Sequence, residues 1–177
     1  MLKQHLFRRD DLMLMAEAGL FQNQKVELLN GVIFDMRPAN PIHEDSIDKL
    51  ARRFTRALLD DALVRTEKGL DLGDPYWLPH PDIALVKLKD YDKARPTAQD
   101  VYLLIEVALT TLSTDLGEKR QAYAKANIME YWVADLEKGR SHIHQMPNQQ
   151  GYWKNYTLNF QEKFAPVAFP ECVEMWL

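Results

Sequence analysis

The chain carries a single cysteine, Cys172, so no intramolecular disulfide can form, and such usage fits a reducing compartment. Long hydrophobic runs are also missing. The apolar stretch from Val101 to Ile105 falls far short of the ~20 residues that a membrane-spanning helix requires. The opening residues, Met1-Leu2-Lys3-Gln4-His5, lack the apolar core of a secretory leader. A cytoplasmic location and no membrane partner are therefore expected. No repeat, low-complexity segment or Gly/Ser-rich linker divides the sequence, which has only 7 Gly in 177 residues. An excess of positive charge is absent too: 22 basic residues face 26 acidic ones, a formal net charge of −4. That excludes nucleic-acid binding driven by global charge and leaves local patches. Arg52, Arg53 and Arg56 offer one, and Lys87, Lys89, Lys93 and Arg95 another. Each cluster alone reads equally well as a solvated surface.

What is present describes an ordinary globular chain, 46% apolar and 27% charged. Its length suits one domain spanning 1–177, which can bury roughly 70% of its unfolded surface without staples. Leu12, Met15, Ala16 and Gly19 follow Asp10-Asp11 at helical spacing, a capped helix start. Lys25 to Met36 reads as two strands joined by Asn30-Gly31, a strong hairpin signal. Asn40-Pro41 supplies an N-cap and first-turn proline for a helix to about Leu59, with Ile47, Leu50, Ala51, Phe54 and Leu58 on its apolar stripe. A strand near Leu63 to Glu67 precedes two apolar runs, Ile83 to Leu88 and Val101 to Val107. The second alternates too little for a one-sided strand and predicts a central buried one. A helix from about Asp115 to Ala126 follows, Asp115 and Glu118 standing at capping-box spacing. Glu130 to Asp135 is a further strand, leading into a β-rich C-terminal third. The order predicts an α/β domain with a mixed sheet covered by helices.

Pro81-Asp82 is the first residue pair to weigh, although chance alone predicts about one such dipeptide in a chain of this composition. Its position is more informative, because Asp82 opens the strand that continues as Ile83-Ala84-Leu85-Val86. Glu106 lies near the end of the next apolar strand, where an acid is costly unless paired or metal-bound. A structural salt bridge would satisfy Glu106 equally well. The following helix shifts the balance. Leu116, Lys119, Tyr123 and Ala126 are spaced 3, 4 and 3, so Lys119 falls in the inward stripe. Two carboxylates faced by an inward lysine suit phosphodiester hydrolysis: the acids hold a magnesium ion, and the lysine orients water and stabilises developing charge. His43, four residues before Ile47, shares its helix's inward face, where a lone histidine is more often a hydrogen-bonded core residue. Glu27 sits in the first hairpin strand, where periodicity alone favours an exposed glutamate.

These residues resemble a known family: the small, stand-alone PD-(D/E)XK endonuclease-like proteins abundant in cyanobacteria. The resemblance runs from about Val26 to Asp135, and more loosely to the C-terminus. It rests on Glu27-Leu28-Leu29-Asn30-Gly31-Val32-Ile33 with Met36 and Pro38, then His43, then Pro81-Asp82. The most specific stretch is Leu104-Ile105-Glu106-Val107-Ala108, Thr110-Thr111-Leu112, Asp115, Lys119, Tyr123-Ala124 and Glu130-Tyr131-Trp132-Val133. The resemblance implies a restriction endonuclease-like PD-(D/E)XK core with an N-terminal helix and hairpin. It also implies Mg²⁺-dependent hydrolysis of DNA, with Mn²⁺ as a substitute. Asp82 and Glu106 correspond to the metal-binding acids, and Val107 to a position that lends its backbone carbonyl to the metal. The usual lysine position holds Ala108, and its role passes to Lys119 on the following helix. Glu27 matches an additional acid and His43 a recurrent active-site histidine. Leu109 and Asn127 depart from the polar residue and glycine common in relatives.

Two other readings stand beside this one. A catalytically inactive DNA-binding or assembly protein would keep the fold and fit the acidic net charge. A transition-metal module could be built on His142 and His144, a His-x-His pair on a predicted strand. Homodimerisation is left open.

Overall fold

The computed structural model describes residues 2–22, 24–36 and 40–175. Helix α1 (Arg9–Glu17) leads to a hairpin of β1 (Val26–Leu29) and β2 (Val32–Asp35), and then to α2 (Pro41–Ala57). The hairpin turn forms because Asn30 and Gly31 both accept positive φ, 50° and 78°, as a two-residue turn of primed type demands. At the start of α2 the Asn40 side chain accepts the Ile42 amide at 2.9 Å, and Pro41 occupies the first turn. Pro38, part of the family motif, lies outside the described residues.

The main sheet has six strands: β3 (Leu63–Thr66), β4 (Ile83–Val86), β5 (Val101–Ala108), β6 (Glu130–Asp135), β7 (Arg140–Asn148) and β8 (Gly151–Asn159). They lie in chain order across the sheet, and every neighbouring pair is antiparallel except β5 and β6. A parallel pair needs a long crossover, supplied here by helix α3. This helix is α over Leu112–Thr114, π over Asp115–Lys119 and α again over Arg120–Lys125. It ends at Asn127, whose φ of 63° is the left-handed conformation that asparagine tolerates after a helix. Short strands β9 (Lys163–Phe164) and β10 (Glu174–Met175) form a separate antiparallel pair.

The two sheet faces are covered by different helices. On one, Ile47, Leu50 and Phe54 of α2, with Leu58 just past its end, pack with Ile83, Leu85, Leu103, Ile105 and Val107. On the other, Ala122, Tyr123 and Ala124 of α3 pack with Ala84, Val86, Leu104, Ala108 and Tyr131. The period-2 alternation of β5 therefore serves two cores, which is why its sequence reads as continuously apolar. Glu106 has the parity of Leu104 and Ala108 and faces α3. The result is a mixed α/β fold, a six-strand mixed sheet flanked by helices on both faces.

Several expected boundaries move. The strand expected to reach Leu88 ends at Val86, because the Lys87 amide leaves the ladder for the Asp100 carbonyl. The helix expected to begin at Asp115 begins at Leu112, so Asp115 caps nothing and points inward one turn before Lys119. Among the described residues no helix is long and apolar enough to cross a membrane.

Candidate active site

The antiparallel register of β4 and β5 pairs Ala84 with Leu104 and Ile83 with Ile105, and its continuation sets Asp82 opposite Glu106. Two hydrogen bonds knit them together there. The Asp82 amide approaches Glu106 Oε2 at 3.4 Å, and the Val107 amide donates to Asp82 Oδ2 at 2.6 Å. Both acids are buried, Glu106 to 3% exposure.

Lys119 enters from α3. Its Nζ lies 3.2 Å from Glu106 Oε1, 3.4 Å from Glu27 Oε2 and 3.9 Å from Asp115 Oδ1. The Tyr123 hydroxyl donates to the same Glu106 Oε1 at 2.8 Å. From the first turn of α2, His43 Nε2 comes within 3.3 Å of Asp82 Oδ2. The structure thus gathers Glu27, His43, Asp82, Glu106 and Lys119, from five separate elements or their edges, around one point. Glu27 is not the exposed hairpin glutamate that its periodicity favours. Its side chain is 15% exposed and turned toward Lys119.

Two members of this group were not picked out by sequence reasoning as site residues. Asp115 is 2% exposed and accepts from the Thr111 hydroxyl at 2.6 Å. Tyr123 is wholly buried. The available signal was the spacing: Asp115, Lys119 and Tyr123 recur every four residues and so share a helix face.

Charge in the cluster is unbalanced, with four carboxylates around one ammonium. Burial pushes Glu106 well above the ordinary carboxylate range; Lys119 opposes this, while Asp82, Asp115 and Glu27 reinforce it. Burial likewise raises Asp115 to about 6, against Lys119 and the Thr111 hydrogen bond. Burial alone would lower Lys119, but Glu106, Glu27, Asp115 and Asp82 outweigh it and hold the ammonium firmly protonated. His43 is raised chiefly by its hydrogen bond to Asp82, with burial opposing and the Val107 carbonyl adding a little.

Such an excess of buried negative charge is the donor chemistry of a hard divalent cation. The oxygens divide accordingly. Glu106 Oε1 is occupied by Lys119 and Tyr123, and Asp82 Oδ2 by Val107 and His43. That leaves Glu106 Oε2 only the long 3.4 Å contact, and among the described residues no hydrogen bond reaches Asp82 Oδ1. Among the described residues no group of three or more His, Cys, Asp or Glu side chains is set to cage a metal. Magnesium tolerates this, because it keeps several waters and often takes only one or two protein carboxylates. Structural zinc, which wants four protein ligands, does not.

The same distinction weighs on the histidine pair of β7. His144 Nδ1 is 2.7 Å from Asn155 Oδ1, and burial lowers its pKa to about 4. His142 Nε2 lies 3.9 Å from Asp135 Oδ2, an oxygen that also faces Arg140 at 3.5 Å. No third ligand completes a zinc-type set there among the described residues. The arginine group of α2 stands further along the helix than His43. Arg52 and Arg56 lie 9 and 13 residues beyond His43, about 14 and 20 Å along the helix at 1.5 Å per residue.

A family model named Uma2 and described as "Putative restriction endonuclease" matches residues 10–175. A solved structure from Anabaena variabilis ATCC 29413, described as a putative nuclease belonging to DUF820, superposes with a TM-score of 0.73. That likeness covers 93% of this chain and 92% of the other at 12% identity, and is one of fold. No curated protein matches the chain.

Proposed function

Because the chain belongs to the Uma2 family of putative restriction endonucleases, we propose that it is a metal-dependent endonuclease hydrolysing DNA phosphodiester bonds at the Asp82/Glu106 pair. The observation that carries this reading is the pairing of two buried carboxylates across adjacent strands, with one oxygen of Glu106 occupied by Lys119 and Tyr123. Asp82 and Glu106 would hold Mg²⁺ or Mn²⁺ with the Val107 carbonyl, and the ion supplies Lewis acidity toward a phosphoryl oxygen.

The remaining chemistry belongs to the chain. Water adds to phosphorus, one P–O ester bond breaks, and a proton passes from the water to the leaving oxygen. Lys119, fixed by three carboxylates, orients the water and stabilises charge growing on the phosphoryl oxygens. Its strongly held proton makes it an electrostatic group, not a base. Glu27 braces the ammonium from the hairpin side. His43, favoured in its charged form by Asp82, presents a second cation to the scissile phosphate and locks the Asp82 carboxylate. Tyr123 fixes which Glu106 oxygen remains open.

Calorimetric titration with Mg²⁺ or Mn²⁺ tests the reading, run beside cleavage of single-stranded and plasmid DNA. Wild type should take up the ion and cut, and Asp82→Ala should do neither. Metal uptake without cleavage of either DNA would assign an inactive DNA binder on the nuclease fold instead. No uptake by wild type would remove the metal from the account.

A further inference from the structure

Beside the carboxylate cluster, and sharing none of its side chains, a cleft of about 790 Å³ runs between α3 and the loop ending at Trp77. Its volume falls in the range of small-ligand sites, ~300–1,000 Å³. Building on the nuclease reading, we propose that this cleft receives one unpaired base of single-stranded DNA beside the scissile phosphate, stacked on the Tyr76 ring.

Position comes first. Ala122 and Ala126 line the cleft from the flank of α3 adjoining Lys119, three and seven residues further on. At 1.5 Å per residue they lie about 5 and 10 Å along the helix from the Lys119 position. That places the cleft within reach of a nucleotide adjoining the one at the proposed reaction centre.

The lining then suits a base. Tyr76 is a large aromatic side chain left 37% exposed, while its neighbour Trp77 forms a nearly buried wall. The two alanines are small enough for a flat ring to approach the helix. Asn30 and Gln121 bring carboxamides, each carrying donors and an acceptor that can meet a base edge. Asp74 and Glu118 also border the cleft. Their negative charge disfavours the phosphate backbone there and leaves the base as the part admitted. Lys125, at the outer end of the helix wall, offers the one cation among the described residues of the lining.

The platform is held in place before any ligand arrives. The Tyr76 amide donates to Asp74 Oδ1 at 2.9 Å, and the Tyr76 carbonyl accepts the Gly31 amide at 2.9 Å. The Arg9 amide donates to the Pro75 carbonyl at 2.7 Å, and the Gly73 amide to Asp71 Oδ1 at 2.8 Å. Asp71 is itself paired with the Arg9 guanidinium. An aromatic ring on a loop pinned from three sides loses little freedom when a base stacks on it. Bases in a duplex are already stacked and paired, so only an unpaired one can occupy the site.

Fluorescence anisotropy with a labelled oligo-dT and with a labelled duplex, both in Ca²⁺ to prevent turnover, tests the assignment. Tyr76→Ala should weaken oligo-dT binding by a factor on the order of 10–100, the usual range for loss of one base–aromatic stack. Tyr76→Phe, which keeps the ring, should bind as wild type does, and duplex affinity should be unchanged in both variants. Unchanged oligo-dT affinity in Tyr76→Ala overturns the inference, as does an equal loss on both DNAs, while the nuclease reading survives either result. Wild type that binds neither DNA overturns both.

Discussion

Glu106 and Glu130 lie on adjacent parallel strands, and both are almost fully buried. Glu130 is surrounded by donors. Its Oε1 accepts from Trp132 Nε1 at 2.9 Å and Gln145 Nε2 at 2.6 Å, and its Oε2 from the Val167 amide at 2.7 Å. Glu106 is crowded by its own kind, Asp82, Asp115 and Glu27, against one lysine and, at Asp82, His43. Burial raises the pKa of both acids, so burial alone does not mark a site. The difference lies in whether the neighbours neutralise the charge or add to it. Glu130 joins strands β6 and β7 to the Val167 segment, whereas Glu106 belongs to a cluster whose neighbouring carboxylates add to its charge.

Exchanging each acid for its amide should separate the two roles. Glu106→Gln should lower DNA cleavage by a factor on the order of 10³ or more, several kcal/mol of lost metal-centred stabilisation. Yet it should hold or raise stability in metal-free buffer at neutral pH. The Glu106 pKa is higher folded than unfolded, so its ionisation, complete above that range, works against the fold. Glu130→Gln should do the reverse. It leaves donors without an acceptor and should cost about 1–3 kcal/mol in urea unfolding, with cleavage per folded molecule intact. If both variants fail in the same way, the contrast collapses.

Lys119→Met comes next. It keeps the packing stem and removes the ammonium that faces the carboxylates, and cleavage should fall by roughly 10²–10³. Full activity in this variant would move the electrostatic role elsewhere.

Asp115→Asn sharpens the comparison through pH. Asp115 is raised from 3.8 to about 6, so its stability contribution is complete below pH ~4 and fades as pH rises through ~6. The metal-free protein should lose up to about 3 kcal/mol across that window from this group, at ~1.4 kcal/mol per pH unit. Asp115→Asn should flatten that part of a urea-denaturation profile. An unchanged slope would mean that Asp115 does not share the cluster's excess charge.

The smallest effect concerns positive charge remote from both acids. Arg52→Ala and Arg56→Ala remove exposed cations from the far half of α2. Each should reduce the salt slope of duplex binding by about 0.9 if it meets a phosphate, with metal uptake unchanged. A slope untouched by either would exclude Arg52 and Arg56 from the phosphate contacts.

The sequence spelled out what local chemistry decides. Asn30-Gly31 announced the hairpin, Asn40-Pro41 opened α2, and the run through Val101 marked a strand buried on both faces. The strand Glu130–Asp135 lies where its apolar pattern placed it. Facts set by distant partners were harder to read. The end of β4 depends on a hydrogen bond from Lys87 to Asp100, which no periodicity announces. Asp115 resembled a cap because its spacing to Glu118 fits one, while the true start three residues earlier makes it an inward carboxylate. The inward direction of Lys119 was legible from its stripe. The approach of Glu27 was not, because the hairpin's seating against the sheet is a tertiary fact. Tyr123 read simply as core, although its hydroxyl orients Glu106.

The most direct test is the conversion of supercoiled plasmid by wild type and Asp82→Asn, purified in parallel, with Mg²⁺ or with a chelator. Nicked or linear product should form only with wild type and only with the metal. Intact plasmid with wild type in both Mg²⁺ and Mn²⁺, or equal cutting by Asp82→Asn, would contradict the assignment of metal-dependent DNA hydrolysis to this site.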